Sequence, residues 1–493
     1  PFPRLTGFRG RTAVIDNSTN AYDHTTMKAV LTASLVLAAS ANLAPPHRAR
    51  GGKAYELYLE REGAPPTSTD AQYWDAPQDH FDDANTATYK QKYYVNSEYY
   101  QEGGPIFLEI GGEGPVGGPP GGYIASLGQE RNALLIQLEH RFYGESLPNG
   151  NVDTDNLKLL TVENALADLA GFIDWYTAEQ GTTGKWFAFG GSYPGALSGW
   201  FRKAYPDHTA GSLSSSGVVN AINEFTAFDE RVATAIGDEC ADNVRAVTAA
   251  FERAVVGEDA TNATNADAKA LFGCAADMWD EDYFYMLADS AAMADQYGSK
   301  FALCDTLGAM GSDATDATKM ETFANFTNTY WGADFGSGCF YDSACLADKS
   351  KYEAGATDRS WRWQKCYQLA YFQPAPAEGS LRSSVVTMDY HYEQCMKVFG
   401  LAPPDVSNIN DKFGADKIQV DKVFFSDFSD DPWREASVVS NDDIPATSEF
   451  HLVQCDECGH CMDFSTPSDT EPAALTAERQ AFEVKLDEWL EIA

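Results

Sequence analysis

Over residues 104–206, short apolar runs alternate with a one-sided helical stripe. The runs in "GPIFLEIGG", "NALLIQLE" and "KWFAFGG" are nearly continuous and bounded by glycine or polar residues, the form of strands buried on both faces. Over residues 161–179 the apolar positions are instead Val162, Ala165, Leu166, Leu169, Phe172, Ile173 and Tyr176, which share one face of a helix. Thr161 is a suitable N-cap, and Glu163 puts a negative charge in the first turn, where the helix dipole favours it. This alternation predicts an α/β domain on a largely parallel sheet.

Strand-like runs return in "KVFFSD" (422–427) and "EFHLVQC" (449–455), and an amphipathic helix carrying Leu475, Phe482, Leu486, Trp489 and Leu490 closes the chain. The middle differs: it is rich in Ala, Asp and Thr, with helix-like pieces such as "RAVTAAFERAV". The expected layout is a first half of the α/β domain over residues 70–226, a mainly helical insertion over 227–365, and a second half over 366–493. A separate domain on linkers is the alternative.

Composition places this chain in a cellular route. Residues 27–41, "MKAVLTASLVLAASA", combine a lysine, a short apolar run and small residues at Ala39 and Ala41, the pattern of a signal peptide. Residues 1–26 before it read as a gene-model artefact. The apolar run is too short for a bilayer-spanning anchor, so no membrane anchor is expected in the mature form. All ten cysteines lie at or after Cys240, an even number that favours disulfides in an exported chain. Asn262 in "NAT" and Asn325 in "NFT" are glycosylation sequons. The expected destination is the secretory pathway, ending in a lysosome or vacuole or outside the cell. A net charge of -38 argues against nucleic acid or an anionic membrane as partner, since both require a cationic face.

The stretch "FAFGGSYPGALSGWFRKAYPD" carries the candidate chemistry. A strand runs through Gly190 and Gly191 into Ser192 and then directly into a helix, the pattern of a nucleophile elbow. The second residue after the serine is Pro194 rather than the usual glycine, which the first turn of a helix accepts. The N–H of Tyr193 is then one oxyanion donor, and Gly112 or Glu113, after "IFLEI", the other. A serine needs a base, held in turn by a carboxylate. His460, in "CDECGHCMDF" just past a strand, is the preferred base; His208 follows the elbow helix too closely, and His391 and His451 read as packed positions. Asp431, fixed by Pro432, is the preferred acid, with Asp430 the fallback. Cys455, Cys458, His460 and Cys461 have a rival reading as zinc ligands, but an exported chain would oxidise such thiols. No metal and no cofactor are expected.

Taken together, "DHFDDANTATYKQKYYVNSEYY", "GGPIFLEIGGEGP", "EHRFYGESLP", "FGGSYPGALSGWFRKAYPD", "DPW" and "GHCMD" resemble the serine exopeptidase family of lysosomal Pro-X carboxypeptidase, dipeptidyl peptidase II and thymus-specific serine protease. The resemblance implies an α/β-hydrolase fold with a helical cap inserted between nucleophile and acid. It also implies Ser192, Asp431 and His460 as nucleophile, orienting acid and base, and peptide substrates cleaved near proline at either chain end. The sequence departs from the family at Asp427 and Phe428, where Asn-Gly is usual; an added carboxylate there would favour the charged form of His460. An esterase or lipase with the same triad, and a non-catalytic binding protein on a hydrolase scaffold, are the alternative functions. A homodimer is left open.

Overall fold

The apolar runs become the central strands of one sheet in the computed structural model, which describes residues 70–333, 335–352 and 357–492. The expected signal segment 27–41 and residues 1–26 lie outside the described residues. The strands are β1 (Gln72–Pro77), β2 (Thr88–Asn96), β3 (Ile106–Ile110), β4 (Leu134–Leu138), β5 (Trp186–Gly191), β6 (Ser212–Ser215), β9 (Val423–Phe428) and β10 (Glu449–Val453). Their order is β1-β2-β4-β3-β5-β6-β9-β10. The β1–β2 and β2–β4 pairings are antiparallel and the rest parallel. This is an α/β-hydrolase fold.

Alternation along each strand separates two apolar layers. Ile106, Leu108, Leu134, Ile136 and Ala188 face one layer, shared with Val162, Leu166 and Phe172 of the helix Val162–Gln180. Phe107, Leu135, Phe187 and Phe189 face the other, against Phe482, Leu486 and Trp489 of the C-terminal helix Ala473–Leu490. Thr161 caps its helix by accepting from the Asn164 N–H, a contact worth about 1 kcal/mol.

β6 has no apolar run to announce it. Its sequence "SLSS" is nevertheless fully buried, because neighbouring polar groups take up serine hydroxyls: Ser214 donates to the Gly195 carbonyl and Ser215 to Asp463.

Two further strands, β7 (Ile222–Glu224) and β8 (Ala370–Phe372), pair in a parallel ribbon of their own. Between them the chain is helical, from Thr226–Ile236 to Thr357–Gln364. Apolar residues of this segment, including Phe251, Phe272, Tyr283 and Phe323, are continuous with the first sheet layer. Disulfides join Cys240 to Cys304, Cys339 to Cys345, Cys366 to Cys395 and Cys455 to Cys458. The disulfides expected from the export pattern are thus present, while Cys274 and Cys461 are buried thiols.

Candidate active site

β5 delivers Ser192 to the head of the helix Tyr193–Ala204 in a conformation that few non-glycine residues adopt, φ 63° and ψ -128°. Such backbone is strained by about 1–3 kcal/mol and persists only where its surroundings enforce it. Here the Ser192 N–H donates to the Ser215 carbonyl on β6 (2.9 Å), and the Ser192 carbonyl accepts from Ala196 (3.0 Å). Gly190 makes the turn possible: a Cβ there would lie 2.0 Å from the Pro194 carbonyl oxygen. The side chain of Ser192 is half-buried and lines a cavity of about 100 Å³.

His460 and Asp431 meet from two loops. Asp431 follows β9, and its Oδ1 accepts from the Trp433 N–H (2.9 Å) while Oδ2 lies 2.7 Å from His460 Nδ1. The fallback Asp430 points elsewhere, pairing with Lys300 at 2.6 Å. His460 follows β10 and is fixed by donating its backbone N–H to the Gln296 carbonyl (2.8 Å). Its ring is 1% exposed, and Nε2 has no hydrogen-bond partner. Burial alone would lower its pKa, but the charge and hydrogen bond of Asp431, with a contribution from Cys461, hold it well above the usual histidine range.

Asp427 is buried beside Asp431, and burial together with the Asp431 charge pushes its own pKa well above the carboxylate range. Both effects favour its neutral form. The imidazolium is favoured by Asp431 itself.

Gly112 and Glu113 follow β3. Gly112 faces the elbow helix so closely that a Cβ would come 2.7 Å from Pro194 Cγ. Glu113 lines the cavity with Ser192 and Tyr193, and burial raises its pKa to about 7. Tyr193 opens the elbow helix, where N–H groups have no carbonyl four residues back.

The other candidate histidines, His208, His391 and His451, have other partners. His208 sits 3.4 Å from Asp174, His391 stacks on Phe372 at 5.1 Å, and His451 on β10 stacks on Phe424 at 4.6 Å. Asn262 and Asn325 are both exposed on helices.

Several supporting residues were missed from the sequence. Glu139, at the end of β4, receives the Val116, Glu145 and Ser146 N–H groups and so secures the loop after β3. His140 Nε2 lies 3.1 Å from the Tyr193 hydroxyl; burial lowers its pKa to about 4, so it is neutral there. Asp463 receives the hydroxyls of Ser215 and Ser426, tying the His460 loop to β6 and β9. The signal available was placement: charged residues directly following an apolar strand, as in "LLIQLEHR", at the sheet edge where sites assemble.

An α/β hydrolase with a strained serine at its strand-to-helix turn and a buried histidine–carboxylate pair is the frame on which the comparisons bear. Residues 76–482 match the family Serine carboxypeptidase S28, and the chain belongs to it. It is therefore a serine-type peptidase. It is 33% identical over 412 residues to the Arabidopsis thaliana protein named "Probable serine protease EDA2", covering 80% of this chain and 81% of that one. Similarity to the Mus musculus thymus-specific serine protease is 27% over 87% of this chain and 89% of that one. For the Bos taurus lysosomal Pro-X carboxypeptidase the figures are 26%, 84% and 86%.

Proposed function

We propose that this serine peptidase is an exopeptidase of the secretory route that hydrolyses bonds near proline through an acyl-enzyme on Ser192. The observation that carries the reading is the buried Asp431–His460 pair, whose Nε2 is left without a partner. In this reading His460 takes the Ser192 proton as the hydroxyl attacks the peptide carbonyl, and Asp431 stabilises the imidazolium. The oxyanion lies against the Tyr193 N–H and that of Gly112 or Glu113; one such donor is worth roughly 3 kcal/mol. The same imidazolium protonates the leaving amine, and water then attacks the acyl-enzyme with His460 as base.

Preference for proline is supported by the cavity wall beside the histidine. Phe228 and Trp433 line it, their rings 5.0 Å apart, and Val218 adds an aliphatic face. A rigid ring without an N–H suits such a wall, since no buried donor is stranded there. The helices of residues 227–365 serve as a cap that restricts entry to a chain end. Similarity to a lysosomal carboxypeptidase and four disulfides support the secretory route.

The test is fluorophosphonate labelling followed by peptide mapping, then cleavage of matched peptides with proline or alanine beside the scissile bond. We expect modification at Ser192, its loss in Ser192→Ala, and faster cleavage of the prolyl peptide. A folded protein that resists labelling across the pH range would overturn the assignment; equal rates on both peptides would overturn the proline preference alone.

A further inference from the structure

The cavity that opens on Ser192 is also lined by a buried lysine. Lys365, Tyr285, Gln373 and Asp289 line it together with Ser192, Glu113 and Trp433. Lys365 is 3% exposed. Its amine donates to the Tyr285 hydroxyl (3.1 Å), which in turn donates to Gln373 Oε1 (2.6 Å). Among the described residues it makes no ion pair. Arg382 behind it has Asp229 at 3.1 Å and Asp289 at 3.8 Å, while Arg362 contacts Gln394 and the Phe340 carbonyl. Asp289, which also lines the cavity, acts on both Lys365 and Arg382 and lies within 4 Å of the arginine, whereas Lys365 has no carboxylate that close among the described residues. Burial, with the positive charge of Arg362 and, more weakly, Arg382, outweighs the opposing charge of Asp289 and depresses the Lys365 amine well below the ordinary lysine range. An isolated buried cation is costly, and a negative partner brought into the cavity would restore its charge.

Reach fits a substrate. Trp361 lines the cavity with its ring 5.9 Å from that of Tyr193, the residue after the nucleophile. Lys365 is four residues further along, about 6 Å of helical rise. An extended peptide advances roughly 3.3–3.6 Å per residue, so a span of this size corresponds to two or three substrate residues from a carbonyl at Ser192.

We propose that Lys365, supported by Tyr285 and Gln373, is a subsite for a carboxylate of the substrate, either the α-carboxylate of the chain end or an acidic side chain. The inference rests on the peptidase reading of the same cavity and deepens it. Glu113 lines the same cavity, so the substrate meets a carboxyl group as well as an amine there.

Two sets of peptides distinguish the sources: one pair ends in a free acid or an amide, the other carries Glu or Gln near the scissile bond. In the wild type we expect kcat/KM to favour the carboxylate member of at least one pair by tenfold or more. The ratio should fall to about one in Lys365→Met and return in part in Lys365→Arg. Ratios near one in the wild type for both pairs, or a ratio that survives Lys365→Met, would overturn the subsite. Should Lys365→Met fail to fold, inhibition of the wild type by short product peptides decides: acids binding no tighter than their amides would also overturn it. Fluorophosphonate labelling of Ser192 in the same samples separates the two levels, because a labelled enzyme with flat ratios counts against the subsite and an unlabelled one against the peptidase reading.

Discussion

Two histidine–aspartate pairs in this protein have nearly the same geometry and opposite consequences. His460 Nδ1 lies 2.7 Å from Asp431, and His80 Nε2 lies 2.8 Å from Asp168. Asp168 is also gripped by Arg141 through two contacts, Nε at 2.6 Å and Nη2 at 2.7 Å, and accepts from the Tyr89 hydroxyl. Although burial works against ionisation, Arg141 holds the Asp168 carboxyl below its usual range. Its charge is answered by a guanidinium, and the cluster ties the β1–β2 connection, the end of β4 and the helix Val162–Gln180 together. Asp431 has only a backbone N–H and the imidazole, so His460 is the group that must answer its charge. A close carboxylate does not by itself make a base. What distinguishes His460 is that, among the described residues, no other cation pairs with Asp431 and Nε2 has no hydrogen-bond partner.

That contrast can be broken most sharply at the acids. Asp431→Asn should lower kcat by about 10³–10⁴ while leaving thermal unfolding close to wild type, because the amide no longer holds the imidazole in its tautomer. Retained activity would dissolve the distinction between the pairs. Asp168→Ala should do the reverse: it strands the buried Arg141 charge and should cost about 3–5 kcal/mol in urea unfolding. Turnover per labelled Ser192 in the surviving folded fraction should stay within a fewfold of wild type. A large loss per labelled site would mean that the Asp168 cluster reaches the chemistry as well as the fold.

The pH profile sharpens the comparison further. A base must be deprotonated to accept the Ser192 proton, and Asp431 raises the pKa of His460 above the ordinary histidine range. The acidic limb of kcat/KM should therefore fall above that range, with activity lost as pH drops through it. Mildly acidic conditions then leave little free base in the unliganded enzyme. A limb at or below the usual histidine value would show that Asp431 does not dominate His460 in solution.

The two pairs were unequally legible in the sequence. The elbow could be read because glycines, an apolar strand and an apolar helical stripe are local signals on contiguous residues. His460 and Asp431 were candidates by chain order and by their places beyond strand-like runs, and their side chains meet. The Asp168 cluster could not be read: His80, Tyr89, Arg141 and Asp168 come from separate segments, and isolated charges leave no periodicity. β6 was missed for a related reason, since "SLSS" is buried by virtue of what its hydroxyls meet in three dimensions. The cavity lining at Lys365 depends on the same kind of meeting, between a helix of the 227–365 segment and a strand after it.

Asp427 provides the smallest expected effect and the finest test of the comparison. From the sequence it looked like an extra anion beside the triad; in the structure it is buried on β9, Oδ1 has no hydrogen-bond partner, and its pKa lies well above the carboxylate range. A charged carboxylate within about 4–6 Å of an imidazole raises its pKa by about one unit or more. A protonated one resembles an asparagine in shape and in lacking charge. Asp427→Asn should therefore leave the acidic limb of kcat/KM where it is, within about 0.3 units, a shift equivalent to roughly 0.4 kcal/mol. If the limb instead moves to lower pH by a unit, Asp427 is ionised in the working enzyme, and the raised pKa of His460 belongs to two carboxylates rather than to Asp431 alone.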